Sequence, residues 1–154
     1  MTQTENFQNN QAPLNLPVFV TSESEEETFA LGQRLAALLE KGSIVALRGQ
    51  LGAGKTCLTK GLARGLGIDE EITSPSYTIV SEYKAAVLFY HIDAFRLKGD
   101  DDFYAIGGED IIFGNGISVI EWSERIPNLI PNLAIKIDIE ILGDNKRRFH
   151  IYKD

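Results

Sequence analysis

Gly49-Gln50-Leu51-Gly52-Ala53-Gly54-Lys55-Thr56 satisfies the pattern G-x-x-x-x-G-K-[ST]. The pattern carries weight only where a strand leads into it and a helix leaves it. Both conditions are met. Residues 43–48 hold the continuous apolar run Ile44, Val45, Ala46, Leu47, which suits a strand buried on both faces of a parallel or mixed sheet. Residues 55–66 place Leu58, Leu62 and Leu66 at four-residue spacing and stop at Gly67, as a helix does. Glycines at 49, 52 and 54 open backbone conformations closed to other residues, so successive N–H groups can converge on phosphate oxygens at the positive end of that helix. Lys55 is then expected on the β and γ phosphates and the Thr56 hydroxyl on magnesium. The bland alternative is a glycine-rich turn without a ligand, and the strand-to-helix context argues against it.

The rest of the chain supplies a sheet and helices around this turn. Residues 18–21 suit a short strand, Ser22 and Glu25 have capping-box spacing, and Leu31, Leu35, Leu38 and Leu39 form one apolar helical stripe ended by Gly42. Residues 77–83 and 87–93 read as strands. Only residues 84–86 join them, too few for a helical crossover, so they form an antiparallel hairpin. A short helix over 100–106, a buried strand over 117–121, an alternating strand over 134–141 and a last strand over 148–152 follow, with Gly143, Asp144 and Asn145 turning the final hairpin. The predicted fold class is α/β, a three-layer P-loop NTPase fold whose mixed parallel and antiparallel central sheet is flanked by helices. Residues 18–154 form one domain in this reading, and residues 1–17, with Pro13, Pro17 and no helical periodicity, form a disordered tail.

Charge and cysteine usage narrow the function classes. Fifteen basic against twenty-two acidic residues give 15 − 22 = −7, which disfavours unaided binding to polyanions such as nucleic acid or anionic membrane. Cys57 is the single cysteine, so neither an internal disulfide nor a cysteine cluster for zinc can form. No signal-peptide pattern and no run of 18 apolar residues is present, and the expected location is the cytoplasm.

A phosphate loop needs a carboxylate at the end of a neighbouring strand to complete its magnesium site. Asp93 ends the run Val87, Leu88, Phe89, Tyr90, His91, Ile92, and Glu121 follows Ser118, Val119 and Ile120 and precedes Trp122, the single tryptophan. Asp93 could instead be a turn residue, and Glu121 an ordinary surface glutamate. Trp122 suits core packing beneath Glu121 with sensitivity to a nearby nucleotide, His91 packing beside the site, and Cys57 a small buried residue more than an activated thiol at a helix start.

Five segments in order resemble the bacterial TsaE (formerly YjeE) ATPases of tRNA threonylcarbamoyladenosine biosynthesis. They are a helix over 24–39, the loop from Gly49 to Thr56, Ser74-Pro75-Ser76-Tyr77-Thr78, His91-Ile92-Asp93-Ala94-Phe95-Arg96-Leu97, and Ile120-Glu121-Trp122. The loop alone is shared by many ATPases; the later segments make the resemblance specific. It implies ATP or ADP with Mg²⁺ on Gly49, Gln50, Leu51, Gly52, Ala53, Gly54, Lys55, Thr56 and Cys57. It further implies metal contacts from Thr56, Glu121 and Asp93, catalytic roles for Lys55, Asp93 and Glu121, and a nucleotide-responsive switch over 74–78. Glu25 and Thr28 match positions that lie near the adenine. Phe95 stands where the family often has tyrosine, and Cys57 where threonine or a small residue is common, neither of which removes a phosphate or metal group.

The implied function is a partner-stimulated ATPase, slow alone, that acts with TsaD-like and TsaB-like proteins in threonylcarbamoylation of adenosine 37 in tRNAs reading ANN codons, touching tRNA only indirectly. The catalytic arginine is open between Arg96 and a partner's residue. A small-molecule P-loop kinase is the first rival, though no lid insertion is evident. A GTP-operated binding switch is the second, but Asn145-Lys146-Arg147-Arg148 lacks the aspartate of a guanine-reading N-K-x-D segment.

Overall fold

The computed structural model describes residues 13–50, 53–73 and 79–154, together with the backbone of residues 3–6. Its strands are β1 (Gln3–Asn6), β2 (Val18–Ser22), β3 (Ile44–Gly49), β4 (Val80–Lys84), β5 (Leu88–Asp93), β6 (Ile117–Glu121), β7 (Ile135–Ile141) and β8 (Arg147–Tyr152). Its helices are α1 (Glu25–Ala36), α2 (Lys55–Gly65), α3 (Asp100–Ala105) and α4 (Gly108–Ile112). The strands form one sheet in the order β1-β2-β8-β7-β3-β6-β5-β4. Its centre is parallel: β3 pairs with β7 and β6, and β6 with β5. β4, β8 and β2 add antiparallel pairings outside that centre, so the sheet is mixed, as its short hairpin connections require.

Side chains alternate across a strand, and β3 shows where each face goes. Val45 and Leu47 pack with Leu31 and Leu35 of α1 and Leu58 and Leu62 of α2. Ile44 packs on the opposite face with Ile92, Ile120, Phe103 and Ile112, under α3 and α4. Helices therefore cover both faces, which explains why residues 44–47 are apolar without interruption and all buried.

Two helix glycines set the distance between α1 and α2. A Cβ placed on Gly61 would lie 1.9 Å from the Phe29 carbonyl oxygen, and one on Gly32 would lie 2.3 Å from that of Leu58. The helix backbones thus meet where a side chain would stand. Helical periodicity gives no hint of this, because an interior glycine reads only as a propensity cost of about 1 kcal/mol.

Three expectations need correction. The cap of α1 is Ser24, whose hydroxyl accepts from Glu27 N at 3.1 Å, while Glu27 Oε1 accepts from Glu23 N at 2.7 Å. Ser22 is the last residue of β2, paired with Arg147, and its buried hydroxyl lies 2.7 Å from Thr28 Oγ1 instead. Replacing Ser24 by alanine should cost about 1 kcal/mol and lower the thermal midpoint by about 3 °C, a shift that calorimetry resolves. α1 ends at Ala36, so Leu38 and Leu39 pack on the core from the turn that follows it and not from the helical stripe, well before Gly42. Residues 1–17 are not wholly a loose tail: Gln3–Asn6 pairs in parallel with β2, and Leu14 is buried in the core. The edge of β2 offers backbone N–H and C=O groups to any extended segment whatever its side chains, so hydropathy gave no warning. α4 was also unforeseen, being too short for periodicity to register. The predicted strand over 77–83 is observed from Val80 to Lys84, and residues 77 and 78 lie outside the described residues.

Candidate functional site

The parallel centre of the sheet brings three strand ends to one edge. Leu47 of β3 pairs with Glu121 of β6, and Glu121 with Asp93 of β5, so the three residues form one row on the face covered by α1 and α2. Ligands of open α/β sheets bind outside the carboxyl ends of the strands, which is where this row lies. Two residues past Leu47 the chain leaves the sheet at Gly49, where a Cβ would press on Ala53 Cβ at 3.1 Å and Ile139 Cβ at 3.2 Å.

The turn then delivers α2. Ala53 N donates to Gln50 O at 3.0 Å, and Gly54 caps the helix at φ +100°, a left-handed conformation that favours glycine. No side chain caps α2 and no acidic residue stands in its first turn. A helix start leaves its first N–H groups without intrahelical acceptors, so this one presents donors at the positive end of a dipole. Leu51 and Gly52, predicted parts of the same loop, lie outside the described residues, as does the predicted switch over 74–78.

Lys55 is 5% exposed, unusual for a lysine. Its Nζ donates to Gly49 O at 2.5 Å and Gln50 O at 3.0 Å, and sits 3.9 Å from the centroid of the Trp122 ring. Burial holds the ammonium below the usual lysine range, opposed by the nearby carboxylates of Glu121, Glu124 and Asp93. A cation kept this dry, on carbonyls that each have a second lone pair for water, is poised to exchange them for an anion.

The carboxylates are held differently. Glu121 is 4% exposed, and its Oε2 contacts Nε2 of His91, which is fully buried. Asp93 is half-buried; its Oδ1 accepts from Phe95 N at 3.0 Å, so it is a turn residue as well as a carboxylate at the site. The predicted surface alternative for Glu121 does not hold. Thr56 lies half-buried in the first turn of α2.

Trp122 adopts φ +59°, uncommon for a bulky residue, and packs partly on the core between α3, α4 and the sheet. Its ring also covers Lys55 and lies 4.9 Å from the Phe95 ring, and the Arg125 guanidinium stands over that Phe95 ring at 5.5 Å from its centroid. Sequence reasoning puts Trp122 and His91 near the site, but not the contact of Lys55 with Trp122 or of His91 with Glu121. The one available signal was that His91 and Asp93, two apart on a strand, share a face. From the other side, Thr28 Cγ2 stands 3.8 Å from where a Cβ of Gly54 would be, and the Cys57 thiol donates to Glu25 O at 3.3 Å. The first turn of α1 thereby abuts the loop. The Glu25 side chain is exposed, and burial pushes the Cys57 thiol up, so Cys57 is no activated thiolate. A cavity of about 380 Å³ opens beside the loop between Gly49, Gln50, Trp122 and Glu124. Arg96 is exposed.

The chemistry of the donors suits magnesium, which takes oxygen ligands and is held by one or two carboxylates with substrate phosphates. Thr56, Glu121 and Asp93 offer such oxygens. Among the described residues no three His, Cys, Asp or Glu side chains form a group able to hold a metal by themselves. A cation here would need phosphate oxygens to complete its shell.

The chain is 43% identical over 130 residues to the tRNA threonylcarbamoyladenosine biosynthesis protein TsaE of Treponema pallidum, covering 84% of this chain and 96% of that one. It is 39% identical over 123 residues to the protein of the same name from Bacillus subtilis, covering 79% and 77%. The crystal structure of Bacillus subtilis YdiB superposes with a TM-score of 0.74 at 32% identity, covering 86% of this chain and 82% of that one. Residues 22–149 match the model of the family described as threonylcarbamoyl adenosine biosynthesis protein TsaE, a span that takes in the loop, both carboxylates and the whole parallel centre of the sheet, and the chain belongs to that family.

Proposed function

We propose that this chain binds ATP with magnesium at residues 49–56 and hydrolyses it to ADP and phosphate, slowly alone and faster with TsaD-like and TsaB-like partners. In this reading hydrolysis resets a complex that carries out threonylcarbamoylation of adenosine 37 in tRNAs reading ANN codons, and this chain does not itself transfer the carbamoyl group. One observation carries the reading: a buried lysine is held on its own loop's carbonyls, at the strand edge where Glu121 and Asp93 converge.

In this mechanism Lys55 leaves Gly49 O and Gln50 O for the β and γ phosphates, and the N–H groups at the start of α2 receive the remaining charge. Thr56 and Glu121 would hold the magnesium, and Asp93 would orient water beside them. Magnesium supplies neutralisation of charge on the phosphate oxygens during in-line displacement. Thr28 and Glu25 would line the adenine in this reading, a role supported by the approach of Thr28 Cγ2 to Gly54 and the contact of the Glu25 carbonyl with the Cys57 thiol. The net charge of −7 fits a protein that reaches tRNA through its partners. No helix among the described residues is long and apolar enough to cross a membrane, and we place the protein in the cytoplasm.

Glu121→Gln tests the metal assignment. It should lower magnesium-dependent turnover by about tenfold or more, since even residues behind metal ligands are worth that much. Binding of ADP in EDTA should change by less than about threefold, because the phosphate loop is untouched. Unchanged turnover would leave Glu121 with a structural role only. Competition between ATP and GTP provides a further check, and a clear GTP preference would rule out the adenine reading.

A further inference from the structure

The mechanism uses Glu121 and leaves its neighbour without a task. His91 is 0% exposed and sits in the middle of β5, with Phe89 and Asp93 on the same face two residues either way. β5 is paired on both sides at this position, with Val119 of β6 and Ser81 of β4. The backbone that carries the ring is therefore held by two ladders, and Phe89 and Val119 beside it belong to the apolar core. From that place Nε2 meets Oε2 of Glu121, diagonally across β5 and β6. A carboxylate can only accept, so Nε2 carries the hydrogen.

Two facts argue against a purely stabilising role. A buried polar pair is commonly replaced by apolar residues without loss of stability, so stability alone does not demand it. The other ring nitrogen, Nδ1, is buried and has no hydrogen-bond partner among the described residues, which adds a cost that an apolar side chain would avoid. What the ring supplies is a fixed donor aimed at one carboxylate oxygen at the edge of the phosphate loop.

We propose that His91 is the positioning residue of the site, holding the Glu121 carboxylate by Nε2–H in the orientation from which it takes magnesium. This rests on the metal role given to Glu121 above. A flexible glutamate at a strand end samples several rotamers, and a metal then has to select one; a donor on a rigid strand makes that selection in advance.

Glutamine and asparagine separate the roles of the two ring nitrogens. The amide nitrogen of glutamine reaches about as far from Cβ as Nε2, while that of asparagine reaches only as far as Nδ1. Binding of the non-hydrolysable analogue adenylyl imidodiphosphate is measured by calorimetry across a magnesium titration and in EDTA. For His91→Asn the magnesium concentration at half-effect should rise about tenfold or more, with affinity in EDTA within about twofold of the unmutated chain. For His91→Gln it should return to within about threefold of the unmutated value. Equal magnesium dependence in His91→Asn and the unmutated chain, or equal impairment in both variants, would overturn the positioning role while leaving the nucleotide site intact. Analogue binding that ignores magnesium in the unmutated chain would instead overturn the metal role of Glu121, and this inference with it. Nitrogen NMR of the His150→Phe chain, in which His91 is the single histidine, needs no change at His91. The Nε2–H signal should be protected from exchange and shift when magnesium joins the analogue; a signal that exchanges freely or does not move contradicts the proposal.

Discussion

Lys55→Ala should weaken MgATP binding by about a hundredfold or more, since charge-assisted hydrogen bonds are worth about 1.5–3 kcal/mol each and the lysine makes at least two to the phosphates. The thermal midpoint should stay within a few degrees. The reason is that Lys55 contributes little to the core: its ammonium is buried at a solvation cost, and it satisfies two loop carbonyls that water can also reach once the side chain is gone. Calorimetric titration and a thermal scan on the same preparation separate the two effects. An alanine variant that hydrolysed ATP normally would remove Lys55 from the phosphate site. A variant that lost binding only because it unfolded would place the lysine in the fold instead.

Gly61→Ala should be the most damaging glycine-to-alanine change among the described residues. The added Cβ would stand 1.9 Å from the Phe29 carbonyl oxygen, and the obstacle is helix backbone, not a side chain that can swing away. α1 must move off α2, at a cost of about 3 kcal/mol or more, offset by about 1 kcal/mol from the better helix propensity of alanine. The net effect should lower the thermal midpoint by at least about 5 °C. Nucleotide affinity should fall as well, because α1 carries Thr28 and the Glu25 carbonyl against Gly54 and Cys57. Gly143→Ala is the control: its Cβ would meet only Lys146 Cβ at 3.9 Å, and stability should stay within about 0.5 kcal/mol. Equal stability of the two variants would show that α1 and α2 are free to separate.

The parts of this fold that could be read in the sequence are those written in local pattern. The uninterrupted run of Ile44 to Leu47, the short join after Lys84 and the glycine-lysine loop each state a strand, a hairpin or a turn without reference to distant residues. Asp93 and Glu121 were legible as charges ending apolar runs. Their convergence is implied by the family resemblance alone and not by local pattern, because it follows from β6 lying between β3 and β5, an order that no run of residues records. The contact of His91 with Glu121 and the cover of Trp122 over Lys55 depend on that same order. Spacing does not choose the cap of α1, because Ser22–Glu25 and Ser24–Glu27 are identically spaced; only the pairing of Ser22 with Arg147 in the sheet decides between them. β1 was unforeseen because its pairing with β2 is a backbone matter.

The most direct test joins the nucleotide site to the modification. TsaD-like and TsaB-like proteins are supplied with unmodified tRNA and the threonylcarbamoyl donor, and threonylcarbamoyladenosine is counted per complex with this chain, with Lys55→Ala, and with neither. The expected result is repeated rounds of modification with the unmutated chain and far fewer with Lys55→Ala or with no addition. Equal yields in all three reactions would contradict an ATP-driven role for this chain in that modification.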